Sequence, residues 1–440
     1  MIPLVLSLFL VSPVDDPRPP ADKPKPVAAT REEMKALLEA HKTARPRLPF
    51  PPEDPNNPRA GVNNGRFRAY YLPDFREGGG GAAGAREPDP AMTLDNTFKV
   101  KLFWITSRTN NCYYCMGHQE LKLRAAALSD DDIAALDGDW KDLPAYERAA
   151  YAFTRKLTFT PHLVGPDDIK ALSAYYKPVQ ILEIVITVAG YNSTNRWTDG
   201  LNISAEASGE NFKKGDGKDD FKTFKTPTSP KFAEQFSSVG PLPPMCKAAS
   251  QPSIPARPAR ESREQVEAKW KAATTRSATL PLADEAAVKE VWTDGPAPNW
   301  VRLLATFPKA GKSRIAGVKL AAEKGNLSPR LKAAIAWAVA REDRSWYALA
   351  VARDRLKATG LTDDQVFALD DEKNDLSDRD RAALAVARKL AVAPSTVTDT
   401  DIERLRKLFS DKEVAEIVFH TCNAAFFGRV TEAANLPLDR

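Results

Sequence analysis

Cysteine and histidine are scarce, with four of each in 440 residues. Four cysteines do not make a disulfide scaffold. No second C-x-x-C and no H-x-x-x-H stands anywhere to complete a four-ligand zinc cluster. Charge of one sign is scarce too. The formal net charge of +5 is small for this length, so the composition asks for neither nucleic acid nor an anionic membrane surface as partner. The apolar run at the start, MIPLVLSLFLVSP (1–13), is too short to span a bilayer. There is no alternating strand series, which argues against dinucleotide-binding α/β folds.

What is present suits a globular chain of two or three domains. Apolar residues make up 43% of it, enough to build cores. The 1–13 run has the length of a signal-peptide h-region. No Lys or Arg precedes it, no clear small-x-small cleavage site follows, and no cysteine lies near it for a lipid anchor. Export and a disordered tail both stay open, and the compartment with them. The Pro-rich stretch to residue 29 reads as extended linker.

The chain is written twice. LSDDDIAALD (128–137) matches LTDDQVFALD (361–370), an offset of 233. At the same offset RAAYAFTRKL (148–157) meets RAALAVARKL (381–390), and LEIV (182–185) meets AEIV (415–418). Roughly one position in three is identical over 128–202 without a gap. With the offset changed by one, 30–50 meets 262–282. This predicts two homologous units, 30–205 and 262–440, after a leader over 1–29. The polar, Pro- and Gly-containing stretch 206–261 reads as linker.

Both units read as helical. Residues 143–159 place apolar side chains at helical spacing among good helix formers. The segment 179–192 is apolar nearly all round and should be a buried helix. Its β-branched residues make a strand the competing reading, but its length favours helix. The expectation is an all-α protein of two tandem repeats packed as a pseudo-dimer.

The chemistry concentrates in NNCYYCMGHQE (110–120). In the second unit Cys112 faces Ser345, Cys115 faces Ala348 and His118 faces Val351. A helix at this place therefore folds without the thiols, which favours a chemical role for them. Covalent haem is rejected because Met116 and Gly117 separate Cys115 from His118. Zinc would need Cys246, His162 or His420 by tertiary accident. An inert buried pair and a redox dithiol remain. Asn110 and Asn111 are good N-cap residues and would put Cys112 in the first helical turn. There the orphan N–H groups and the helix dipole favour a thiolate. His118 neighbours Cys115 at i, i+3 and is placed to take its proton. Gln119 points along the same face but cannot titrate.

These residues resemble the alkylhydroperoxidase D-like family, which includes carboxymuconolactone decarboxylase. The similar parts are 101–123, read as one helix, and YNSTNRWTDGLNI (191–203). The resemblance implies small all-α units that form homo-oligomers. It implies reduction of a hydroperoxide, with Cys115 attacking the peroxide, Cys112 resolving the sulfenic acid, and an external dithiol as electron donor. No bound cofactor or metal is implied. The decarboxylase branch acts on a lactone and does not use the thiols; such a lyase, or a binding protein that kept the fold, is the alternative. Two positions depart from the family pattern. Gln119 stands where the usual His would be, with His118 one residue earlier. Val100 stands where the relay Glu would be.

Further candidates share one helix face: Asn192, Asn195, Arg196 and Asp199 fall at i, i+3, i+4, i+7. They suit a network that holds helix ends or a polar wall near the thiols. Glu183 recurs as Glu416 in an apolar helix. A buried carboxylate needs a partner, for which Arg155 or Arg148 is the expectation, with Glu183 also a stand-in for the relay acid. His420 and Cys422 read as satisfied core.

Overall fold

The computed structural model describes residues 23–52, 62–75, 89–206, 254–371 and 376–439. The N-terminal apolar run, most of the linker and Cys246 lie outside the described residues. Among the described residues every regular element is helical. The first half holds α1 (Arg31–Ala40), α2 (Asn63–Tyr71), α3 (Asn96–Asn110), α4 (Tyr113–Ala125), α5 (Asp130–Ala135), α6 (Ala145–Phe159), α7 (Pro166–Leu172) and α8 (Pro178–Gly200). The second holds α9 (Arg263–Ala273), α10 (Glu285–Lys289), α11 (Asn299–Leu304), α12 (Ala310–Glu323), α13 (Pro329–Asp343), α14 (Trp346–Ala358), α15 (Asp363–Ala368), α16 (Asp378–Val392), α17 (Asp399–Arg406) and α18 (Asp411–Ala433).

Local chemistry sets many of these boundaries. Thr30, Ser129, Ser262, Thr362, Thr398 and Ser410 each cap a helix reciprocally with an acidic or Gln residue three positions on. Proline opens α7, α8 and α13, where a missing N–H costs nothing. The segment rich in Ile and Val at the start of α8 is helical despite its β-branched content. Burial on nearly every side outweighs its modest helix propensity.

From α3 onward, the helices of the first half start again 233 residues later, as do the left-handed backbones at Asn111 (φ 58°) and Arg344 (φ 51°). Glu183 accepts the N–H groups of Thr93 and Leu94 at 2.8 and 3.0 Å. Glu416 does the same for Asn326 and Leu327 at 2.8 and 3.0 Å. Each carboxylate ties the loop before α3 or α13 to a central helix. Lys99 completes the Glu183 site at 2.9 Å. This corrects the expected arginine partners. Arg155 lies instead over the Trp140 ring, and Arg148 donates to the Lys141 carbonyl. The loop N–H pair needs an acceptor and lies beside α8, whereas both arginines belong to α6 and serve its own surroundings.

Helices α8 and α18 lie against each other at the centre, flanked by α3 and α6 on one side and α13 and α16 on the other. Gly200 lets α8 end on α18, since a Cβ there would come within 3.0 Å of Val418. Two buried arginines cross between the halves. Arg196 donates to the Ala391 carbonyl at 2.8 Å, and Arg429 donates to the Leu157 and Thr158 carbonyls at 3.1 and 3.4 Å. Ala391 and Thr158 are themselves 233 positions apart, so the two contacts are reciprocal. No helix among the described residues is long and apolar enough to cross a membrane.

Candidate dithiol site

Residues 101–123 form two helices, not one. Asn111 adopts the left-handed conformation that ends α3, and the Cys112 N–H turns back to the Ser107 carbonyl at 2.8 Å. Cys112 is then the N-cap residue of α4, with extended backbone and no side-chain cap. The asparagines therefore close one helix rather than open the next, because asparagine tolerates the left-handed backbone that a sharp helix–helix corner requires. Cys115 sits three residues into α4, in its first turn.

Both thiols are free and buried, with Cys112 at 0% and Cys115 at 2% exposure. They share a core with Trp197 and Leu201 of the first half and Trp337 and Val418 of the second. The two sulfurs flank one hydroxyl: Thr198 Oγ1 lies 3.2 Å from Cys112 Sγ and 3.4 Å from Cys115 Sγ. That hydroxyl donates to the Thr194 or Asn195 carbonyl of its own helix. It therefore faces Cys112 as an acceptor and favours S–H over thiolate there. Burial pushes the Cys112 thiol well above its ordinary value, and its hydrogen bond with Cys115 and the charge of Asp199 add to the rise. The expected activation by a helix N-terminus is overturned for Cys112, because desolvation outweighs it.

Asp199 is buried next to Thr198. Its Oδ1 pairs with Lys25 Nζ at 2.7 Å, and its buried Oδ2 has no regular hydrogen bond. Burial pushes its carboxyl up, against the pull of Lys25, Arg47 and the Cys112 thiol. The lysine comes from the strand of chain before α1. That segment is tied down by Asn111 Nδ2, which donates to the Pro26 carbonyl at 2.7 Å, by Tyr113, and by Arg108, which donates to the Ala28 carbonyl at 2.7 Å.

The remaining polar face of α8 holds helices together. Asn110 Nδ2 donates to Asn192 Oδ1 at 3.1 Å and Asn195 Oδ1 at 2.9 Å. Asn195 Nδ2 continues to Ser107 Oγ at 3.1 Å, and Asn192 Nδ2 to Thr158 Oγ1 at 2.9 Å. Arg196 takes Asn192 Oδ1 at 2.9 Å and then leaves for the second half. Of the four residues on this face, Asp199 is the one placed against Cys112. Glu183 stands fifteen residues earlier on α8, about 22 Å along the helix from Thr198, so it cannot serve as a relay acid at the thiols.

His118 lies between Tyr114 and Glu206. Its Nδ1 is 2.7 Å from the Tyr114 carbonyl, and its Nε2 is 2.9 Å from Glu206 Oε2. Both partners are oxygen acceptors, so each ring nitrogen faces one. Burial works to raise the Glu206 carboxyl, but the hydrogen bond and charge of His118 and the Asn63 N–H outweigh it, and the net direction is down. Glu206 Oε1 also takes the Tyr114 hydroxyl at 3.1 Å and the Asn63 N–H at 2.7 Å. The second half repeats this latch with Asp439, Tyr347 and the Asn299 N–H. The carboxylate–tyrosine latch is thus architecture common to both halves, and His118 is the addition particular to the first. Gln119 Nε2 donates to the Cys115 carbonyl at 3.3 Å, while its buried Oε1 has no hydrogen bond.

Sequence reasoning missed Thr198, Glu206 and Lys25. Two of them had a signal in the repeat, since Thr198 recurs as Thr431 and Glu206 as Asp439 at the same offset. Lys25 had none. In the second half Cys422 is buried, and burial pushes its thiol up to about 12. His420 is buried, but its Nε2 has no hydrogen-bond partner, so the expectation of a satisfied core histidine fails there. Comparison with protein-family models and with curated proteins finds no match for the chain.

Proposed function

We propose that the protein is a thiol-dependent oxidoreductase that reduces hydroperoxides through Cys112 and Cys115, within two tandem alkylhydroperoxidase D-like helical units related by a pseudo-twofold axis. The observation that carries the chemistry is the pair of free thiols flanking one hydroxyl at the start of α4. The two thiols also share a hydrogen bond, the closeness that a Cys112–Cys115 disulfide needs. The reciprocal Arg196 and Arg429 crossings support the pseudo-twofold reading.

In this reading the Cys115 sulfur attacks the distal oxygen of ROOH. The O–O bond breaks, the Cys115 thiol proton passes to the departing alkoxide, which leaves as ROH, and Cys115 becomes a sulfenic acid. Cys112 gives its proton to Asp199, and its sulfur displaces hydroxide from the sulfenic sulfur, which leaves as water with that proton. The product is a Cys112–Cys115 disulfide. An external dithiol returns two electrons and two protons by exchange and departs as its own disulfide. Asp199 suits the base role because it is buried beside Cys112 with an oxygen still available. The His118–Glu206 pair positions the first turn of α4 through the Tyr114 carbonyl.

The test is thiol counting by mass spectrometry on reduced protein, before and after one equivalent of cumene hydroperoxide. The expected product is a Cys112–Cys115 disulfide that Cys115→Ser cannot form. Two thiols left untouched by peroxide, in protein whose thiols label normally once unfolded, would end the peroxidase reading.

A further inference from the structure

The second half carries a cavity that the dithiol reading does not use. It has a volume of about 350 Å³ and lies between α12, α13, α14 and α18. Ala348, Val351 and Ala352 form part of its wall. These are the positions that hold Cys115, His118 and Gln119 in the first half.

Its origin is visible in the repeat. In the first half Phe103 and Tyr191 stack face to face, with ring centroids 3.8 Å apart and planes 2° from parallel. At the matching positions of the second half stand Ala336 and Ala424, and both line the cavity. Two rings that fill one half are thus replaced by methyl groups in the other. A space of this size, mostly apolar and set with a few polar groups, has the character of a small-molecule site.

The polar groups have one sign. Lys332 and Arg355 line the cavity, and no carboxylate does. The Lys332 ammonium is held by the carbonyls of Ala322 and Lys324, while Arg355 is exposed at the rim beside Thr359. His420 is 92% buried within the wall, and its Nε2 meets no protein partner. Burial first, and then the charges of Lys332 and Arg355, push His420 down to about 3, so the ring is neutral near pH 7. A neutral ring nitrogen without a partner, beside two cations, is an unfilled polar position in an otherwise apolar chamber.

We propose that this cavity is a binding site for a small apolar molecule carrying one anionic head, such as a medium-chain carboxylate. Its chain occupies the volume left by the two missing rings, and its head lies among Lys332, Arg355 and His420. The proposal goes beyond the dithiol reading and does not depend on it.

The test is isothermal titration of the full-length protein with octanoate and, separately, with 1-octanol. Octanoate is expected to bind at one site per chain, and 1-octanol about tenfold or more weakly, the charge preference corresponding to about 1.4 kcal/mol. Arg355→Met should remove most of that preference, and as an exposed rim residue it leaves the fold alone. Ala336→Phe with Ala424→Tyr should rebuild the ring stack of the first half and abolish octanoate binding with unchanged helical circular dichroism. Should the pair misfold, Ala336→Phe alone makes the same test, because Ala336 is only partly buried. No octanoate binding to the wild type, equal affinity for the alcohol, or undiminished binding to a folded filled variant would each overturn the proposal.

Discussion

Two buried histidines should make this protein acid-labile well above the carboxylate range. His41 is 5% exposed and donates from Nε2 to the Ile203 carbonyl at 3.0 Å. His420 is 8% exposed in the wall of the second-half cavity. Burial is the main cause in both, and it pushes each from 6.5 down to about 3. The folded protein therefore keeps both rings neutral, while the unfolded chain takes up a proton at each as pH falls below 6.5. Each ring contributes stability that is fully present above 6.5 and is lost progressively towards about 3. Between about pH 7.5 and about pH 5 the loss is about 2 kcal/mol per ring and about 4 kcal/mol for the two. The carboxylates that the fold holds low, such as Glu206 and Asp401, titrate below this window. The assay is urea unfolding followed by circular dichroism at both pH values, on the wild type and on His41→Gln/His420→Gln. The double variant should lose far less stability across the interval, and each single variant about half the difference. A double variant with the same pH dependence as the wild type would refute the assignment of the acid loss to these rings.

Other consequences follow from the crossing arginines and the latch. Arg429 donates to Asp343 Oδ2 at 2.6 Å with both groups almost fully buried, so Arg429→Met, which leaves Asp343 only the longer 3.7 Å ion pair with Arg257, should cost roughly 3–5 kcal/mol. Arg196→Met strands only neutral acceptors and should cost roughly 1–3 kcal/mol; equal losses in urea unfolding would count against this difference in partners. Glu206→Gln replaces a buried carboxylate that faces His118, Tyr114 and Asn63, and should cost about 1.5–3 kcal/mol. Asp439→Asn, the counterpart at an exposed position, should cost less, and the reverse order would show that His118 adds nothing to the latch.

The helical class was legible because helix signals are local. Capping residues, helix-opening prolines and apolar spacing all act within a few positions, and most helices begin where those signals stand. The internal match was legible for a different reason: it compares positions by identity and needs no fold. The corner at Asn111 was not. Asn is favourable both before a helix and at a left-handed helix end, and the choice depends on how α3 and α4 pack. The thiol state was also misread. Helix position is a sequence property, but desolvation is a property of everything packed around a group, and at Cys112 it dominates.

By itself the sequence determined the helices, their doubled order, and the presence of a C-x-x-C pair in one half only. Each follows from short-range chemistry or from direct comparison of one half with the other. The tertiary structure alone decided that Thr198 stands between the thiols, that Lys25 reaches Asp199 across 174 residues, and that two absent rings leave a cavity beside His420. These depend on side chains that meet only when distant segments pack, and no local pattern in the chain records such a meeting.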